Sequence, residues 1–337
     1  MPAATGVFRL RTDSHSTLAA AAATMQLTDR EVVITGGCGL VGAALAHALA
    51  ADNTVRVIDD LSKGDPTVLP EGCTLIEGDV ADPTVCAAGI TETTDLVIHA
   101  AALTATNHPD PRALFEANTR MTYTVAARAA AVGVGGIAFT SSSTVYGEAP
   151  RPTPEDHTPL APISVYGAAK VADEAILTAL ASTAEIPVWI FRFANVVGPH
   201  QRGTVIPDFI EKLRADPTRL EILGDGSQTK SYLHVEDCCA AMLHQIATVD
   251  QPLWICNLGT ADATSVTAIA DVVSGQMGLD PTYTYTGGRR GWEGDVPQMQ
   301  LAIDRLLASG FSPQHASTAA VERATAQLLE EFDHLEG

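Results

Sequence analysis

The run Val32-Val33-Ile34 ends in Thr35-Gly36-Gly37-Cys38-Gly39-Leu40-Val41-Gly42, and an alanine-rich stretch, Ala43 to Ala51, follows without proline or glycine. β-Branched residues suit a buried strand, glycines permit a tight turn, and alanines favour a helix. Strand, glycine turn and helix in that order constrain the fold more than any other feature of the chain. The helix start directs backbone N–H groups and the positive end of its dipole into the turn, a setting that suits a pyrophosphate. Gly36, Gly39, Leu40, Val41 and Gly42 are the candidate contacts. A glycine turn that merely joins a strand to a helix is the plainer alternative.

The next β-rich run, Val55-Arg56-Val57-Ile58, ends in Asp59-Asp60. Asp59 stands about twenty residues beyond the turn, where an acidic side chain meets the adenosine ribose of a dinucleotide. A carboxylate there repels the 2′-phosphate of NADP, and Asp60 adds to the repulsion. The cofactor expectation is therefore NAD.

Strand-like runs recur at 31–36, 54–59, 73–77, 94–99, 135–140 and 187–193, with helix-like segments at 39–50, 112–132 and 166–182. Regular alternation predicts an α/β fold, a doubly wound parallel sheet of the Rossmann type covered on both faces. Ligands of such sheets sit beyond the carboxyl ends of the strands. After about residue 195, prolines and glycines shorten the elements. The expected division is a disordered tail at 1–28, a dinucleotide-binding domain at 29–195, and a smaller α/β substrate-binding lobe at 196–337, some of whose segments return to the first domain. A last amphipathic helix is expected from about 313 to 335.

The net charge of −20, with only four Lys among 20 basic residues, argues against binding nucleic acid or an anionic membrane surface. Sparing use of Lys on an acidic chain points to adaptation to high salt. Six cysteines lack any Cys-x-x-Cys spacing and do not pair with His at zinc intervals, so no metal is expected and a reducing cytoplasm is. Residues 1–24 lack the apolar core of a signal peptide, and Met25 is a candidate initiator.

Tyr166 and Lys170 stand four residues apart in Tyr166-Gly167-Ala168-Ala169-Lys170, on one face of a helix. An ammonium beside a phenol favours the phenolate and moves its pKa from about 10 toward neutrality, which makes a usable general base. Upstream, Thr140-Ser141-Ser142-Ser143-Thr144 closes the fifth strand with hydroxyls, one of which can relay a proton to the tyrosine. No Gly-x-Ser-x-Gly elbow is present to make a serine nucleophile.

Together these motifs resemble the extended short-chain dehydrogenase/reductase family, and within it the nucleotide-sugar epimerases of the UDP-glucose 4-epimerase type. The resemblance spans about residues 30 to 310. It implies that Ser142, Tyr166 and Lys170 are catalytic, with Tyr166 and Lys170 also reaching the cofactor. It further implies cofactor contacts from Asp79, Val80, Ala100, Ala101, Ala102, Asn118 and Phe193. For the substrate it implies Ser142 and Asn195, with Lys230 and Arg290 on the diphosphate and Asp295 on the ribose; Arg289 is a rival to Arg290. His99 is read as structural, and His234 and Asp237 as capping and packing a helix. A homodimer through 112–132 and 166–182 is expected.

Family dehydratases carry Asp-Glu after the catalytic hydroxyl, and decarboxylating members a nearby Glu. Ser143 and Thr144 occupy those positions here and offer no carboxylate. The resemblance therefore implies 4-epimerisation of an NDP-sugar through a 4-keto intermediate. A net oxidoreductase or lyase, and a non-catalytic NAD-binding protein, are the alternatives. Met299 stands where bulk would influence the choice of sugar.

Overall fold

A computed structural model describes residues 24–104, 108–292 and 294–336. The runs rich in β-branched residues become β1 (Glu31–Thr35), β2 (Thr54–Asp59), β3 (Thr74–Glu77), β4 (Leu96–His99), β5 (Gly136–Ser142) and β6 (Val188–Phe193). Beyond them come the short β7 (Asn195–Val197), β8 (Arg219–Ile222), β9 (Thr229–Lys230) and β10 (Tyr232–His234). β11 (Leu253–Leu258) returns to the main sheet, and β12 (Thr264–Ser265), β13 (Thr282–Tyr285) and β14 (Gln298–Met299) belong to the smaller lobe. The main sheet is parallel and seven-stranded, in the order β11-β6-β5-β4-β1-β2-β3.

Its first crossover helices are α1 (Leu40–Leu49), α2 (Pro83–Gly89), α3 (Pro111–Val132) and α4 (Val165–Thr183). Then follow α5 (Val205–Ala215), α6 (Val235–Thr248), α7 (Val266–Gln276), α8 (Asp304–Ala308) and α9 (Ser317–Glu336). α3 shows why such a helix forms and stops where it does. Asp110 caps its start by accepting from Ala113 N at 3.0 Å, Pro111 presets the first turn, and Gly133 ends it at φ +72°. Leu45 and Leu49 of α1 pack with Met242 and Ile246 of α6 on one face of the sheet. Val125 of α3 packs with Leu177 and Leu180 of α4 on the other. Each such leucine stabilises the fold by about 1.5–3 kcal/mol. α5, α7 and α9 enclose a third core against β8 and β10.

The segments after residue 195 that return to the main sheet are β11 and α6, since Cys256 and Leu258 of the one and Met242 and Ile246 of the other fill the same core as Phe191 and Phe193. Two expectations need correction. The last helix begins at Ser317 rather than near 313, since the backbone N–H groups of Gln314 and His315 are spent on the Asp237 carboxylate at 3.1 and 3.0 Å. Met25 and Leu27 pack against the core, so the tail does not extend to 28; the rest of it, residues 1–23, lies outside the described residues.

One buried network ties α4 to the sheet. Arg192 on β6 donates to Glu174 through Nε at 2.9 Å and through Nη2 at 2.7 Å, and Ser141 Oγ donates to the same carboxylate at 2.5 Å. Arg192 Nη1 also reaches the Tyr146 hydroxyl at 2.8 Å, and that hydroxyl donates to Asn257 Oδ1 on β11. Arg192→Met leaves Glu174 as an unmatched buried charge and is expected to cost about 3–5 kcal/mol. Urea denaturation measures this, and Arg192→Met/Glu174→Gln should lose less than Arg192→Met alone.

Candidate active site

Parallel register brings the motifs to one edge of the sheet. Thr35 pairs with His99, His99 with Phe139, and Ser142 with Phe193, so the glycine turn, the loop after β4 and the hydroxyl cluster open side by side. α1 starts at Gly39, which has no side chain to cap it, whereas Asp82, Asp110 and Ser164 cap α2, α3 and α4. The first N–H groups of α1 stay available to an anion.

Gly36 adopts φ +67°, and a Cβ there would lie 2.7 Å from the Ala101 backbone. A Cβ on Gly42 would lie 2.2 Å from Gly36 O. Glycine at 36 therefore lets the turn pack on the Ala100–Ala102 loop, and glycine at 42 lets α1 pack on the turn. At Gly39 a Cβ would meet only Gly36 O, at an ordinary contact distance of 3.5 Å, which leaves room for a pyrophosphate. These features fit a dinucleotide, with Leu40 and Val41 presenting the first helical N–H groups.

Asp59 ends β2 and is buried. Its Oδ2 accepts from Cys38 N and its Oδ1 from Leu61 N, both at 2.9 Å, so the carboxylate braces the glycine turn. Asp60 is exposed and accepts from Ser62 N and Oγ. Asp79 is exposed and accepts from Ala81 N at 2.8 Å, an Asx turn that holds the buried Val80. Burial pushes the Cys38 thiol up to about 12, with Asp59 and Asp65 adding to the effect, so it is no nucleophile.

Asn118 is buried and clamps Leu103, accepting from its N–H at 2.8 Å and donating to its carbonyl at 3.0 Å. It thereby fixes the loop carrying Ala100, Ala101 and Ala102. His99 is structural as expected. Its Nδ1 meets Thr35 Oγ1 at 2.7 Å, its Nε2 meets Thr122 Oγ1 at 3.2 Å, and burial lowers its pKa to about 3, with Lys170 contributing.

Ser164 caps α4 by accepting from Gly167 N at 3.1 Å, and this sets Tyr166 and Lys170 on the helix face toward β5. Lys170 is 2% exposed. Its Nζ donates to Thr140 O at 2.8 Å and lies 4.5 Å from the Phe139 ring centroid and 5.9 Å from that of Tyr166. Burial lowers the lysine's pKa to about 8, against the opposing pull of Asp173 and Glu174.

The Tyr166 phenol does not move toward neutrality. Burial raises its pKa, Asp173 raises it further, and the hydrogen bond to Ser142 lowers it without reversing the result. Desolvation is the largest cause, and the lysine's charge is not among those that oppose it. The direction of the Ser142 proton follows from Thr144, a residue the motif reading passed over. Thr144 N and Oγ1 both approach Ser142 Oγ as donors, at 3.2 and 3.0 Å, which leaves the serine hydroxyl to donate to Tyr166. A hydroxyl two residues past Ser142 was the available signal.

At the far side, Phe193 is buried and Asn195 partly so. Asn195 engages Tyr232, whose hydroxyl burial pushes up to about 12. Lys230 Nζ pairs with Asp295 Oδ1 at 2.5 Å and lies 4.8 Å from the Trp292 ring centroid. Arg290 pairs with Glu148 and donates to the Asp295 carbonyl, while Arg289 is exposed. Lys230, Arg290 and Asp295 thus form one cluster. Met299 is buried against Val145, Tyr146 and Ala194. His234 caps α6 by accepting from Glu236 N, and Asp237 binds the segment before α9, as read from the sequence. Among the described residues no cluster of His, Cys, Asp and Glu could hold a metal, and no helix is long and apolar enough to cross a membrane.

The profile of the NAD dependent epimerase/dehydratase family matches residues 32–259. A UDP-glucose 4-epimerase of Mycolicibacterium smegmatis is 30% identical over 306 residues, spanning 86% of this chain and 96% of that protein. A dTDP-L-rhamnose 4-epimerase of Burkholderia thailandensis is 26% identical over 354 residues, spanning 90% and 96%. A solved structure of a UDP-galactose 4-epimerase superposes with a TM-score of 0.82 at 37% identity, covering 89% of this chain and 99% of the other.

Asp59 and Asp60 stand beside the glycine turn, at the end of β2, and their carboxylates are expected to make NAD bind about ten-fold or more tightly than NADP. Calorimetric titration with both dinucleotides checks this, and equal affinities would contradict it.

Proposed function

The chain belongs to the NAD dependent epimerase/dehydratase family, and from that premise we propose that it interconverts UDP-glucose and UDP-galactose by inversion at C4. It is an NAD-dependent nucleotide-sugar epimerase. The observation that carries the reading is the Thr144–Ser142–Tyr166 hydroxyl chain beside Lys170, with hydroxyls at Ser143 and Thr144 where elimination would need carboxylates. When bound, NAD supplies a hydride acceptor and donor for C4 and, in its oxidised form, a positive charge.

The chain's own residues handle the proton. In the protein alone burial favours the protonated Tyr166 phenol, so Tyr166 must first give that proton up; as phenolate it takes the C4 hydroxyl proton as the 4-keto sugar forms and returns it when the sugar is reduced on its other face. Ser142 donates to the Tyr166 oxygen and so stabilises the phenolate while it lasts. Lys170 holds a positive charge beside the same ring. Lys230 and Arg290 are the cations for the diphosphate, Asp295 is the ribose acceptor and Asn195 orients the sugar end. In the protein alone those cations are paired with Asp295 and Glu148. Substrate therefore has to exchange internal ion pairs for its own.

UDP-galactose should convert to UDP-glucose with no net NADH and no loss of water, and deuterium placed at C4 should remain at C4. Washed-out deuterium or an accumulating 4-keto-6-deoxy sugar would place the chain in another branch. Inversion of a different nucleotide sugar would change only the substrate. Tyr166→Phe keeps the ring and loses the proton carrier, so turnover should fall by roughly 10²–10⁴-fold while calorimetry still registers NAD. Near-normal turnover would contradict the assignment.

The cytoplasm and high-salt adaptation form part of the same proposal, supported by the acidic balance and the unpaired cysteines. So does a homodimer through α3 and α4. Between them Tyr123, Ala126, Ile176 and Ala179 line an apolar groove, and Tyr123 is half exposed. Sedimentation at two times the monomer mass, and at monomer mass for Tyr123→Glu, is the expected result.

A further inference from the structure

We propose that Asp173 is the buried counter-charge of Lys170, a positioning residue that keeps the lysine's ammonium charged beside Tyr166 and ties it through Thr122 to the histidine under the cofactor loop. The significance for catalysis rests on the epimerase reading; the electrostatic claim does not.

Four ionisable side chains of opposite sign are sunk together behind the hydroxyl cluster: Lys170, Asp173 and Glu174 on α4, and Arg192 on β6. Taking a charge out of water is tolerated only where another compensates it. Glu174 is already matched, because Arg192 grips both of its oxygens and Ser141 donates to one of them. His99, which meets Thr122, is held neutral by burial. That leaves one positive group, Lys170, and one negative group, Asp173.

Geometry supports the match. Asp173 follows Lys170 by three residues, so both lie on one face of α4. Asp173 is 1% exposed. Its carboxylate accepts from Thr122 on α3, while its Oδ1 has no hydrogen-bond partner among the described residues. Thr122 Oγ1 in turn meets His99 Nε2 at 3.2 Å, His99 Nδ1 meets Thr35 Oγ1 at 2.7 Å, and Thr35 Oγ1 accepts from Ala101 N at 3.2 Å. One polar chain thus runs from the catalytic helix to the loop under the cofactor.

A carboxylate with an open lone pair in an apolar core is costly unless its charge is used. Burial raises the Asp173 carboxyl and lowers the Lys170 ammonium, each toward its neutral form, and the two groups oppose this by favouring one another's charge. The groups facing Asp173 are Tyr166, Lys170 and Glu174 from its own helix, Thr122 from α3, His99 from β4 and, behind Glu174, Arg192 from β6. Only Lys170 among them is a cation without a carboxylate of its own. Asp173 also disfavours the Tyr166 phenolate, which makes the phenol a weaker acid and the phenolate a stronger base toward the C4 hydroxyl proton.

The chain has only four lysines, Lys63, Lys170, Lys212 and Lys230, so 13C-labelled lysine gives a spectrum in which each can be followed. The Lys170 signal is the one missing from Lys170→Arg. In the cofactor-free protein its titration midpoint is expected near 8. Asp173→Asn should lower that midpoint by about one pH unit. The ratio of wild-type to variant turnover should then rise with pH, because the variant loses its ammonium first. An unmoved midpoint, or turnover lost equally at every pH, overturns the proposal. If Asp173→Asn does not fold, Thr122→Val is the second test. It removes the donor that favours the Asp173 charge, so the Lys170 midpoint should fall by about half a unit, and no movement overturns the proposal. Absence of turnover in the wild type with a shifted midpoint would instead count against the epimerase reading alone.

Discussion

The forked ion pair between Arg192 and Glu174 is the contact on which the arrangement of the site depends. α4 carries Tyr166 and Lys170, and its apolar face alone would let it slide along the sheet, since leucine packing has little directionality. Two parallel hydrogen bonds from a planar guanidinium to a carboxylate fix both distance and rotation. The same guanidinium holds Tyr146, and through it Asn257 of β11. One arginine thereby locks the catalytic helix, the loop after β5 and the seventh strand to a common origin.

Around that origin the site is assembled by exclusion of water. Lys170 is fully buried, flanked by a phenylalanine and a tyrosine ring, and burial rather than any single partner dominates its acid–base behaviour. The same desolvation keeps the Tyr166 phenol protonated and His99 neutral. A low-dielectric pocket that disfavours every charge makes each compensating group count for more. This is why the hydroxyl of Ser142, the charge of Lys170 and the carboxylate of Asp173 carry so much of the local balance.

The opposite end of the cleft follows another rule. Lys230 meets a buried Asp295, whereas Arg290 and Glu148 are nearly half exposed. In a strongly acidic chain these cations are kept from random carboxylates by holding chosen ones. Under the proposed function, exchange of a partner for phosphate costs less at Arg290, where water still reaches the pair.

The main-sheet strands before residue 195, the glycine turn and the Tyr–Lys helix were legible in the sequence because they depend on local rules: β-branched runs, glycine at a turn, and side chains four residues apart on one helix face. Tyr166 and Lys170 could be paired for the same reason, whereas Ser142 was singled out of its hydroxyl cluster only by the family resemblance. β11 was not legible. Leu253–Leu258 is a short strand among breaker-rich segments, and only its pairing with β6 shows where it belongs. Nor could spacing show that Asp59 braces Cys38 N or that Lys230 meets Asp295 across sixty-five residues. Those contacts join segments far apart in the chain. Burial, which decides the protonation of Tyr166 and Lys170 against what their adjacency predicts, belongs to the packed molecule. Sequence determined which groups could do the chemistry; the tertiary structure decided their charges, because desolvation exists only once the chain has closed around them.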